Sequence, residues 1–126
     1  MNISDYWQLK NGKVRATLHD VSEDDSDETD KCYMTDSETI ITNFDLVKRV
    51  YMKEHHISED HAKSVDALFQ VKPTVNGESD VYLVEFKNGK IEPRDIERKA
   101  RDSVLIFQSI TGTQLEDTRC SVCFGL

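Results

Sequence analysis

Asp80-Val81-Tyr82-Leu83-Val84-Glu85-Phe86-Lys87 reads as a buried strand that carries charges where apolar residues are expected. In an extended chain Val81, Leu83, Glu85 and Lys87 share one side, and Tyr82, Val84 and Phe86 share the other. Both sides are largely apolar, the composition of a strand covered on both faces. A carboxylate and an ammonium on such a strand are costly to bury unless they pair, meet a metal or open into a cleft. Glu85 and Lys87 are therefore the first candidates for function.

The flanking sequence supplies partners for this strand. Lys63 to Lys72 places Val65, Ala67, Phe69 and Val71 on one strand face and Asp66, Leu68 and Gln70 on the other. Pro73 to Ser79, with Asn76-Gly77 at its centre, is a turn that joins the two strands into a hairpin. A second turn, Asn88-Gly89-Lys90, leads to Pro93, a residue suited to the first position of a helix. The helix over 94–110 has an apolar stripe of Ile96, Ala100, Val104, Phe107 and Ile110, and Gly112 ends it. A final strand is expected over Thr118 to Phe124. Before the hairpin, Thr42 or Asn43 caps a helix with Asp45 in its first turn, apolar residues at Phe44, Val47, Val50 and Tyr51, and an end near His55-His56.

The first third differs in character. Tyr6 to Leu9 and Val14 to Leu18 read as strands joined through Asn11-Gly12, a hairpin signal. Asp20 to Asp30 has seven acids in eleven positions and reads as a solvated loop. The spacing of a calcium-binding EF-hand fails there for want of the central Gly and terminal Glu. Mimicry of a phosphate backbone is a further reading of the run.

Length allows one domain with appended segments: a hairpin and acidic segment over 1–42 and an α/β unit over 43–126. No apolar run is long enough to span a membrane, and the N-terminus lacks the basic start and apolar core of a signal peptide, so the chain is expected to be cytoplasmic. Three cysteines do not describe a disulfide framework. Cys120 and Cys123 form a CxxC, but no second ligand pair follows it, so zinc is disfavoured against two residues of a final strand. The net charge of −8 is concentrated at the front: residues 1–45 hold eleven acids and four bases, while residues 46–126 hold thirteen and twelve. An overall acidic balance therefore does not exclude a nucleic-acid partner for the second part.

The order helix, strand with Asp66, strand with Glu85-Phe86-Lys87, helix, strand resembles the PD-(D/E)XK nuclease family over about Asn43 to Leu126. "Ser64-Val65-Asp66-Ala67-Leu68-Phe69" and "Val81-Tyr82-Leu83-Val84-Glu85-Phe86-Lys87-Asn88-Gly89" carry the likeness. The resemblance implies a mixed central sheet flanked by helices with a restriction-endonuclease-like αβββαβ core, and metal-dependent hydrolysis of DNA. It assigns Asp66, Glu85 and Lys87 to catalysis. Asp66 and Glu85 would hold Mg2+ or Mn2+ with the Phe86 carbonyl, and Glu54 or Glu38 are candidates for one more acid. Hard oxygen ligands suit these ions, and the chemistry is that of a metal-activated water attacking phosphorus. Asp80 is the weaker alternative for the first acid, because its even number places it on the opposite strand face from Glu85. Two sites for two DNA strands would make a homodimer.

Lys90, Arg94, Arg98, Lys99 and Arg101 form the densest basic group and are candidates for phosphate contacts. Glu92, Asp95, Glu97 and Asp102 are interleaved with them, so an ordinary solvated face has equal standing. Glu85 and Lys87 also admit a purely structural reading, a same-face ion pair. The alternative function is a nuclease-like module that no longer cuts and binds a protein partner, as a small phage-type inhibitor would, with its acidic segment as the competing surface.

Overall fold

A computed structural model describes residues 3–24, 32–33, 40–70, 81–87, 90–112 and 118–124. In chain order the elements are α1 (Trp7–Lys10), β1 (Arg15–Thr17), α2 (Leu18–Val21), β2 (Glu23–Asp24), β3 (Cys32–Tyr33), β4 (Ile40–Asn43) and α3 (Phe44–Glu54). They continue with β5 (Ala67–Gln70), β6 (Val81–Lys87), α4 (Pro93–Thr111) and β7 (Thr118–Phe124). One mixed sheet has the order β1-β4-β5-β6-β7, antiparallel from β1 to β6, with β7 parallel to β6. A parallel neighbour requires a crossover, and α4 provides it.

β5 and β6 form the expected hairpin, with Ala67 opposite Val84 and Leu68 opposite Leu83. The helix-covered face buries Leu68, Val81 and Leu83 with Phe44 and Val47 of α3 and Ile106 and Phe107 of α4. The other face buries Ile41, Ala67 and Val84, with Leu18, Val21, Tyr82 and Phe86 packed against them. The alternation read from the sequence is thus kept along β6, and the two faces enter two separate apolar clusters.

Local chemistry explains the helix ends. Asn43 accepts a hydrogen bond from the Leu46 amide at 3.3 Å, which caps α3 as the sequence predicts. Pro93 begins α4, and Gly112 ends it in the left-handed conformation with φ 71°, where a side chain would be strained.

The N-terminal hairpin is not formed. Tyr6 to Leu9 lies in a helical turn instead of a strand, and Asn11 closes that turn by donating its side-chain amide to the Trp7 carbonyl at 2.9 Å. A four-residue run is too short for periodicity to separate helix from strand. The second half of the expected hairpin does supply β1, whose partner is β4 and not the preceding segment. Leu9 and Val14 lie in the same buried cluster as Phe44 and Leu68, so the first residues belong to the main core. The acidic stretch begins as structure and not as loop: Thr17 accepts from the Asp20 amide at 3.1 Å and caps α2, and Glu23–Asp24 pairs with Cys32–Tyr33. Residues 25–31 lie outside the described residues.

Candidate functional site

Asp66 sits at the mouth of the β5–β6 hairpin, one residue before β5, and its backbone is held from three directions. Its amide donates to the Val84 carbonyl at 3.0 Å, and its own carbonyl accepts from the Phe44 amide at 3.0 Å. Just upstream, the Val65 amide donates to Ser103 Oγ at 2.9 Å and the Lys63 amide to Asp102 Oδ2 at 3.0 Å, which ties the approach to α4. The strand register, extended by one residue, sets Asp66 against Glu85 on the helix-covered face. The Glu85 carboxyl is thus the cross-strand neighbour of Asp66.

The electrostatics follow from that meeting. Burial, then the hydrogen bond and charge of Glu85, raise the Asp66 pKa to about 8, against the opposing pull of the Phe86 amide and Lys99. The Phe86 amide donates to Asp66 Oδ2 at 2.8 Å, so the peptide named as a third ligand lies beside the pair. Glu85 is 2% exposed, and Lys99 Nζ lies 2.9 Å from its Oε2. Among the described residues no donor meets that oxygen with hydrogen-bond geometry, so the Lys99 contact is an ion pair and not an aligned hydrogen bond. Burial works against the Lys99 ammonium, but Glu85, Asp95 and Asp66 outweigh it and raise its pKa.

Asp66 lines a cleft of about 510 Å³ together with Asn43, Asp45, Asp95 and the lysines 48, 63 and 99, among others, and Glu85 is not part of its lining. Asp95 holds Lys63 in a hydrogen-bonded ion pair and stands 3.5 Å from Lys99. The Lys63 hydrogen bond, and the charge of both lysines, keep the Asp95 carboxyl below the usual carboxylate range. Asp45 accepts from Ser64 Oγ at 3.1 Å and pairs with Arg49 at 3.1 Å.

The sequence-predicted residues therefore separate. Asp66 and Glu85 come together. Lys87 is half-buried at the end of β6 and does not line the cleft. Glu54 lies at the far end of α3, in a small pocket with Tyr51, His55 and Ser109, so it does not join Asp66; the acid that α3 brings to the cleft is Asp45. Glu38 and Asp80 lie outside the described residues. Of the basic group, Arg98 and Arg101 pair with Asp102, Lys99 turns inward to Glu85, and Lys90 and Arg94 are exposed.

Sequence reasoning named Lys99 as a phosphate contact and not as the partner of Glu85, and it missed Asp95, Lys63 and Asp45 as site residues. Asp95, Lys99, Asp102, Ser103 and Ile106 recur at helical spacing and form the face of α4 turned to the hairpin, a pattern hidden by counting only apolar residues as inward-facing.

The donor set was weighed for a divalent cation. Two carboxyl groups on adjacent strands, Glu85 buried and Asp66 half-buried, with one oxygen that has no aligned donor, are ligands of the kind a hard cation takes. Among the described residues no group of three or more His, Cys, Asp or Glu is placed to hold a metal. An ion here would draw two protein carboxylates and take its other ligands from backbone, water and substrate, the manner in which magnesium is commonly bound. No described helix is long and apolar enough to cross a membrane.

Comparison with family models, with curated proteins and with solved structures found no match to this chain.

Proposed function

We propose that this chain is a metal-dependent nuclease of the PD-(D/E)XK type that hydrolyses phosphodiester bonds of DNA, and that its sheet and two long helices are a form of the restriction-endonuclease-like core. The observation that carries the reading is the register that sets Asp66, which lines an open cleft, opposite the buried Glu85 of the adjacent strand. Asp66 and Glu85, with the Phe86 carbonyl, would hold Mg2+ or Mn2+. Such an ion supplies Lewis-acid polarisation of the phosphoryl oxygen and activation of water. The chain's own part is to fix Asp66 at the cleft by its backbone bonds and to hold Glu85 buried beside it under α4. Lys90 and Arg94 are exposed cations available to the DNA backbone.

The test is cleavage of plasmid and linear DNA by the full chain with Mg2+ or Mn2+. Wild type should cut, and Asp66→Asn and Glu85→Gln should each lose about 100-fold or more in rate. A wild type that leaves both substrates intact with both ions would sink the reading.

One observation favours a second reading. The Lys99–Glu85 and Lys63–Asp95 pairs offset the buried charge without any ion. On that reading the chain is a nuclease-like module that binds a protein partner and does not cut. Its signature would be a melting temperature unmoved by millimolar Mn2+, together with intact DNA.

A further inference from the structure

We propose that Lys99 of α4, and not Lys87 of β6, supplies the ammonium that faces the scissile phosphate; this rests on the nuclease reading above. Three lysines line the cleft, and their partners distinguish them. Lys48 donates to the Ala62 carbonyl at 3.2 Å and stands 3.8 Å from Asp45. Lys63 is engaged by Asp95. Of the three, Lys99 reaches the carboxylate pair, at 2.9 Å from Glu85 Oε2.

Lys87 has the spacing but not the position. It lies two residues beyond Glu85, roughly 6.6 Å farther along the strand. It does not line the cleft, and among the described residues no ion pair or hydrogen bond joins it to Asp66 or Glu85.

The placement of Lys99 is over-determined by its own helix. Asp95, one turn before it, holds Lys63, while Asp102 and Ser103, one turn after it, accept the Lys63 and Val65 amides. These contacts grip the segment that leads into Asp66. The same stretch of α4 therefore sets the cation and the first carboxylate in one register, which a lysine on a strand end does not achieve.

The ammonium is also available. Its contact with Glu85 is not an aligned hydrogen bond and its distance to Asp95 is 3.5 Å, so its three donors can turn to an anion entering the cleft. During hydrolysis the water oxygen bonds to phosphorus as the P–O ester bond breaks. The water's proton leaves to solvent, and the departing oxygen takes one up. Lys99 remains an ammonium throughout and stabilises the charge that grows on the non-bridging oxygens.

The experiment compares Lys99→Met, Lys99→Arg and Lys87→Met in the full chain, reading plasmid cleavage with Mn2+ and, separately, Mn2+ affinity by calorimetry. Lys99→Met should lose about 100-fold or more in kcat while Mn2+ binding is kept or tightened, since a neighbouring cation has gone. Lys99→Arg should recover at least roughly tenfold of that loss, and the loss at Lys87→Met should be at least roughly tenfold smaller. A larger loss at Lys87 than at Lys99 overturns the assignment. Loss of Mn2+ binding together with activity also overturns it, because Lys99 would then only hold Glu85 in place. If Lys99→Met does not fold, Lys99→Gln takes its place in the same comparison. Wild type that does not cut at all sinks the nuclease reading and this assignment with it, whereas cleavage with the order of the lysines reversed sinks the assignment alone.

Discussion

The two ends of the β5–β6 hairpin lie on one face of one sheet and are held by opposite means. At one end Leu68 faces Leu83 beneath Phe44 and Phe107, and burial needs no partner geometry. Two residues away, Asp66 faces the buried Glu85, and the Phe86 amide and Lys99 offset the charge there. The apolar end gives stability that is indifferent to pH. The polar end gives up some stability and gains a site whose charge state can be changed by what enters the cleft.

The comparison breaks most sharply at the apolar end. Leu83 is fully buried, and Leu83→Ala should destabilise the chain by about 3 kcal/mol through lost burial and the cavity left behind. Denaturant titrations at pH 5 and pH 8 should show the same loss at both. A loss below roughly 1 kcal/mol would mean that the helices do not pack on this face as described.

The polar end should respond to pH. In the unfolded chain Asp66 ionises near 3.8, and in the folded chain near 8. Between those values folding takes up a proton, so this group's stabilising contribution is complete below the lower value and is lost as pH rises to the upper one. Asp66→Asn replaces the protonated carboxyl with an amide that can still donate to Glu85. From pH 5 to pH 8 the stability of the variant should rise relative to wild type by about 2 kcal/mol, less than the full shift because Asp66 is partly open to water. Parallel stability curves for the two proteins would show that the carboxyls do not meet.

The same contrast explains what could be read from the sequence. Period-2 alternation made both faces of β6 legible, and Asn43, Pro93 and Gly112 marked helix ends because each acts locally, Asn43 through its side-chain oxygen and the other two through their backbone. The juxtaposition of Asp66 and Glu85 was open in the sequence, because it depends on the hairpin's register, which the pairing of Ala67 with Val84 sets. Lys99 was legible as a member of the basic group but not as the partner of Glu85, since that carboxylate lies on another element. Trp7 to Lys10 was misread for a different reason: four residues carry no usable period, and their pairing was decided by β1 turning to β4.

Ser103 gives the finest test, because it joins the two ends. It is fully buried on α4 among apolar neighbours, and its Oγ accepts the Val65 amide at 2.9 Å. Ser103→Ala removes only one oxygen, yet it leaves a backbone donor buried with no acceptor from that side chain. The expected loss of stability is about 1.5 kcal/mol, the usual range for an orphaned buried group. The consequence for the site should exceed that figure's weight in stability: of the ties between α4 and the approach to Asp66, the one nearest Asp66 is lost while those at Lys63 remain, so the spacing of Asp66 to Lys99 is held less firmly. Amide hydrogen exchange at Val65 and Asp66 should quicken in Ser103→Ala while exchange at Leu68 and Leu83 does not rise beyond what the global loss explains. Uniform quickening across the hairpin would instead make Ser103 an ordinary core residue, and the polar end would have no support separate from the apolar one.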